Sequence, residues 1–212
     1  MSSEWAAENL QVIRTLMERS AVYRRALAPV MILVGFLGTA GAVIPCFRPI
    51  DRNQAFALFW MVIGFVSLSA ALFMVRRQAL QASESLWSPP TRRVTQAVLP
   101  AFLVGFTAGV SLACPVFPLA NAGWLLTPVW MVCYGVALHA AAFFMQRGVR
   151  LFGWLFVVAG CGVALCSLLG GSWAEARLRH PAAGHYIMGL FFGLGHLAFG
   201  VYLYFTEKKN EA

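Results

Sequence analysis

The sequence predicts an all-α, polytopic membrane bundle: six transmembrane helices preceded by an N-terminal amphipathic helix at the membrane surface. Three observations carry that reading. The 212 residues are 60% hydrophobic and only 11% charged, with a mean hydropathy of +0.72, whereas a soluble domain carries roughly 25% charged residues. The apolar residues gather into six runs, each long enough to cross a hydrocarbon core about 30 Å thick at about 1.5 Å per helical residue. Lysine and arginine alternate between the connections, 12 on one side of the expected membrane and 4 on the other.

The first 25 residues are polar and hold Glu4, Glu8 and Glu18, so no cleaved leader is expected. Within residues 4–25, Leu10, Ile13, Leu16, Met17 and Ser20 share one helical side. Glu8, Arg14, Glu18 and Arg25 face elsewhere. With Trp5 and Tyr23 suited to the interfacial zone, this reads as a cytoplasmic or interfacial amphipathic helix rather than a solvated lead-in. Residues 26–206 form the six-helix transmembrane domain and 207–212 a cytoplasmic tail.

The first span runs from about Ala26 to Ile44, contains Gly35, Gly38 and Gly41, and is expected to stop at Pro45. The second covers about Gln54 to Val75. Arg76 to Arg93 is expected to be the longest loop, with Ser88-Pro89-Pro90 breaking any helix there. The third span, about Val94 to Phe117, carries a GxxxG pair at Gly105 and Gly109, and Cys114-Pro115 and Pro118 end or kink it. The fourth covers about Trp124 to Met145 and the fifth about Leu151 to Leu169. A polar loop from Gly170 to Pro181 follows, in which Glu175 stands four residues before Arg179, the spacing of an ion pair on a short surface helix. The sixth span, Gly184 to Thr206, places His185, Gly189, Gly193, His196 and Gly200 at intervals of three and four, hence on one helical face. Glycine-rich faces on spans one, three and six are expected to be helix-contact surfaces. The two halves share no repeat motif.

Orientation follows from the connections. Arg14, Arg19, Arg24, Arg25, Arg76, Arg77, Arg92, Arg93, Arg147, Arg150, Lys208 and Lys209 fall on one side, and Arg48, Arg52, Arg177 and Arg179 on the other. The positive-inside rule then puts both termini in the cytoplasm. It also accounts for the net charge of +8 as membrane orientation rather than nucleic-acid binding.

The apolar runs hold no Asp, Glu, Lys or Arg, which weighs against a proton- or ion-coupled transporter. Two histidines remain inside them, His139 and His196, with His185 at the outer edge. His139 shares a face with Pro128, Gly135 and Ala142. Spans four and six run in the same direction, and the two imidazoles lie at depths about 5 Å apart by helical rise, close enough to meet. They either fix helix packing through hydrogen bonds, or border a polar pocket, or ligate a metal or haem. No carboxylate is present in the spans to orient ligating histidines.

The five cysteines form no C-x-x-C or paired Cys/His spacing. Cys133, Cys161 and Cys166 fall within apolar runs, and Cys46 and Cys114 near one membrane surface, either as free thiols or as a disulfide. No G-x-S-x-G, H-E-x-x-H, Walker or dinucleotide motif is present, so no catalytic residue is assigned.

Three stretches together resemble an uncharacterised family of bacterial six-span integral membrane proteins. They are Ile13-Arg14-Thr15-Leu16-Met17-Glu18-Arg19-Ser20, the run Trp130-Met131-Val132-Cys133-Tyr134-Gly135 leading to His139, and Gly193 to Gly200 with Thr206-Glu207-Lys208. The resemblance implies a fold type and two recurrent histidine positions, and transfers no activity. The expected function is a non-enzymatic protein of the bacterial inner membrane. It would bind a partner subunit, a second copy or a small apolar ligand in a pocket between spans four and six, bordered by His139, His196, Gly135, Gly189, Gly193 and Gly200. The alternatives are a haem- or metal-binding redox subunit using His139 and His196, and a small-solute transporter.

Overall fold

The computed structural model describes residues 27–81, 87, 89–114, 123–145 and 147–209; the expected interfacial helix over residues 4–25 lies outside them. Six helices are long and apolar enough to cross a membrane, and the described residues contain no strand. They are α1 (Leu27–Phe47), α2 (Asn53–Gln81), α3 (Pro89–Ala113), α4 (Leu126–Ala141), α5 (Arg147–Leu169) and a last span made of three continuous pieces. A short helix α6 (Gly171–Arg177) precedes that span, which begins as α7 (Pro181–Met188), continues as a π-helix over Gly189–Gly195 and ends as α8 (His196–Lys209). Helices suit this chain because a hydrocarbon solvent offers no partner to a bare N–H or C=O, and only intrahelical bonds satisfy every one.

Two boundaries differ from the expectation. Helix α1 runs through Pro45 to Phe47, and the Arg48 N–H still donates to the Ile44 carbonyl at 3.1 Å. Proline removes only its own N–H, so within the last turn it costs one intrahelical bond and does not stop the helix. The stretch Arg76–Arg93 is not one long loop either. Arg76, Arg77, Gln78, Ala79, Leu80 and Gln81 continue α2, and Pro89 opens α3. The first group are good helix formers, and proline is favoured at a first helical position, where its missing N–H is not needed.

Glycine sets the helix crossings. A Cβ placed on Gly35 would lie 2.5 Å from the Leu197 backbone nitrogen, and one on Gly193 would lie 2.8 Å from that of Thr39. A Cβ on Gly200 would lie 2.9 Å from the Ile32 nitrogen, and Gly189 abuts Ala42. Antiparallel α1 and the last span therefore touch backbone to backbone. Helices α4 and α5 do the same through Gly135 and Gly153, each closest to the other's carbonyl oxygen. On α3, Gly105 and Gly109 admit the Trp130 indole of α4, whose Nε1–H donates to the Gly105 carbonyl at 2.8 Å. The contact faces expected on spans one, three and six are thus helix contacts. Without a hydrophobic drive between helices in lipid, this close approach and the dispersion it allows hold the bundle together.

The outside of the bundle is apolar: Phe65 is 73% exposed, Phe73 67% and Leu169 81%. Such a surface is stable only where lipid covers it. At the expected outer end, Gly171 adopts φ +54° to turn the chain from α5 into α6, a conformation that glycine takes without penalty. Arg179 then ties the loop down. Its Nε and Nη2 donate to the Ser167 carbonyl at 3.1 and 2.9 Å, and its Nη1 to Glu175 at 3.0 Å, the ion pair expected from their spacing. The guanidinium also lies 5.0 Å over the Trp124 ring.

Candidate functional site

The last span carries both fully buried histidines, His185 and His196, and begins with a well-made cap. Pro181 occupies the first turn, and His180 Nδ1 accepts from the Ala182 N–H at 3.2 Å. Proline pre-sets the backbone, and the imidazole satisfies one of the amides left free at a helix start.

His185 is 2% exposed. The Trp60 indole N–H of α2 donates to His185 Nδ1 at 3.0 Å, and His185 Nε2 lies 3.3 Å from the Ile50 carbonyl. An indole N–H only donates and a carbonyl only accepts, so the network assigns the proton to Nε2. The rings of Phe56 and Phe59 close over this pair at 4.8 and 5.7 Å between centroids. His185 thereby staples the α1–α2 connection and α2 to the last span.

His196 is fully buried. Its Nδ1 lies 3.1 Å from the Phe191 carbonyl, five residues back, and its Nε2 lies 2.6 Å from the Tyr134 hydroxyl of α4. The same logic places the proton on Nδ1 and makes Tyr134 the donor to Nε2, the opposite tautomer from His185. Phe152, Phe156 and Phe192 surround the ring, with centroids 5.1, 5.6 and 5.9 Å away. Tyr134 itself packs on Phe156 and Phe192 at 5.0 and 5.1 Å. The π-helix is part of this geometry, because its wide turns aim the Phe191 carbonyl at a side chain five residues on.

The single polar-and-glycine face expected on the last span is therefore divided three ways. Gly189, Gly193 and Gly200 face α1, His185 faces α2, and His196 faces α4 and α5. The last span has neighbours on several sides, and the π-turns interrupt the regular 3.6-residue period that placed these residues on one line.

His139 does not join His196. Its ring packs against Phe143 and Trp154, at 5.9 and 5.4 Å, and the two imidazoles share no ring contact or hydrogen bond. On α4, residues 134 and 139 project about 140° apart at about 100° per residue. Tyr134 points to the last span, while Pro128, Gly135 and His139 all turn to α5. Gly135 is accordingly a helix-crossing residue. His139 Nδ1 is buried and has no hydrogen-bond partner.

Tyr134 and Trp60 are the functional partners that sequence reasoning missed. Their signal was present: each is an aromatic residue with a polar handle inside an apolar run, where the O–H or N–H must find an acceptor within the protein.

The two hydrogen-bonded histidines, His185 and His196, have no free ring nitrogen to offer a metal or haem. Phe156 and Phe192 fill the space beside His196. Among the described residues no group of three His, Cys, Asp or Glu side chains could hold an ion. All five cysteines are free thiols. A cavity of about 10 Å³ lies where α2 and the last span begin, between Asn53, Trp124, Thr127, Arg179 and His180, room for about one water molecule. No protein-family model, curated protein or solved structure matches the chain.

Proposed function

We propose that the chain is a non-catalytic integral protein of the bacterial inner (cytoplasmic) membrane that works by binding a partner subunit or a second copy within the bilayer, with both termini in the cytoplasm. The Tyr134–His196–Phe191 hydrogen-bond chain carries this reading. It uses both nitrogens of the most deeply buried imidazole for packing and leaves neither for chemistry. The ring-filled interface between spans four and six favours a partner outside the bundle over an apolar ligand inside it. Helix α2 is the side best suited to receive one. Along it Val62, Phe65, Val66, Leu72 and Phe73 are exposed, and Gly64 has open space where a Cβ would stand. The distribution of 12 and 4 basic residues supports the orientation.

Two measurements test the reading. The purified protein is expected to be colourless, and a Soret band that disappears in His196→Ala overturns the non-catalytic assignment. A photo-crosslinker at Phe65 or Phe73, in native membranes, is expected to give an adduct with a membrane chain or a second copy. Monomer alone from both positions, together with a single-copy mass in nanodiscs, overturns partner binding.

A further inference from the structure

The basic end of α5 carries a feature that the packing of the bundle does not use. Arg147, Arg150, Leu151 and Trp154 are spaced i, i+3, i+4 and i+7 and are all exposed, so they form one outward stripe about two turns long. Among the described side chains, neither arginine is paired with an acidic group. Among residues whose side chains are described, the acidic ones are Asp51 and Glu175, both at the opposite end of the bundle. Trp154 stands about 6 Å further into the membrane than Arg150 by helical rise, and its ring lies 5.4 Å from His139 in an edge-to-face contact.

His139 supplies the second observation. Its Nδ1 is buried without a partner, and its Nε2 is neither bonded nor among the buried unpartnered atoms, so Nε2 reaches the surface of the bundle. A neutral imidazole carries its proton on one nitrogen. With nothing to accept from Nδ1, the proton sits on Nε2 and points outward beside Trp154. Hydrocarbon cannot accept it, whereas the phosphate and ester oxygens of a lipid can.

We propose that Arg147, Arg150, Trp154 and His139 form a binding site for the headgroup of an anionic phospholipid in the leaflet at this end of the bundle. The two guanidiniums hold the phosphate as charged donors. The Trp154 indole sits at the boundary of headgroup and acyl chain, where such rings are favoured. The His139 Nε2–H donates to an oxygen at ester depth, which satisfies a surface donor on α4 that would otherwise face acyl chain. Charge complementarity selects this occupant, since a zwitterionic lipid brings its own cation beside the phosphate and so gains less from the two arginines. The site is independent of any protein partner on α2.

Native mass spectrometry of the full chain in detergent tests it, with phosphatidylglycerol and phosphatidylcholine of identical acyl chains as probes. Phosphatidylglycerol is expected to bind roughly 30-fold more tightly, the ratio for two surface arginines acting on one anionic group. Arg147→Gln with Arg150→Gln is expected to bring it down to the phosphatidylcholine level, and His139→Phe to lower it several-fold. Arg76→Gln with Arg77→Gln, on α2 away from this stripe, is expected to change nothing. Equal binding of the two lipids overturns the proposal. So does an equal loss in both arginine pairs, which would show attraction to the basic rim as a whole. All these arginines are exposed, and circular dichroism of each variant checks that it is folded.

Discussion

Tyr134→Phe removes one oxygen atom and leaves His196 Nε2 buried with no donor. At about 1–3 kcal/mol for a buried group stranded this way, the variant is expected to melt several degrees below the wild type in detergent, with its helix content unchanged. His196→Phe strands the Tyr134 hydroxyl at a similar cost. The double variant is expected to be more stable than the sum of the two losses, because removing both partners strands nothing and the added ring joins Phe152, Phe156 and Phe192. Strictly additive losses in thermal melts would mean that the 2.6 Å contact does not couple the two residues. Both histidines were visible in the sequence as polar groups at membrane depth, but their partners were not. Tyr134 stands beside Gly135, the residue the face argument selected, and a rotation of about 100° on the helix decides which neighbour each one meets.

At the scale of elements, the crossings rest on glycine, and the effect of enlarging a glycine depends on what it faces. Gly193→Leu pushes a side chain into the Thr39 backbone, and the α1 crossing has no slack to receive it. This variant is expected to fail to fold or to lose about 3 kcal/mol, the upper end for overpacking of a tight contact, read as loss of monodisperse protein on gel filtration. Gly162→Ala is the matched control, because nothing lies within 4 Å of its Cβ position. It is expected to melt at or slightly above the wild-type temperature, since alanine is the better helix former. Equal behaviour of the two variants would deny that backbone contact holds α1 to the last span. Spans one, three and six were marked as contact faces by glycine spacing alone. The π-helix over Gly189–Gly195 had no such mark, since a widened turn leaves no period in the residue pattern.

At the scale of the whole molecule, orientation is the testable quantity. Cys46 is exposed at the end of α1, opposite the expected cytoplasmic termini, whereas Cys161 and Cys166 lie along the apolar α5. In intact spheroplasts a membrane-impermeant maleimide is expected to label Cys46 and to leave Cys161 and Cys166 unlabelled. Protection of Cys46 in spheroplasts, with labelling in inverted vesicles, would reverse the orientation that the basic residues suggest.

Apolar length and the alternation of charge are properties of the chain read in one dimension. They were enough for six spans, because every polar backbone group in hydrocarbon must be satisfied within its own helix. Which helix stands beside which is a property of three dimensions. Only the folded bundle put Tyr134 against His196, Trp60 against His185, and Trp154 rather than a second imidazole against His139. The physical reason is that a helix offers several faces at once, and the choice among them is made by neighbours tens of residues away and by a π-turn that rotates the last span.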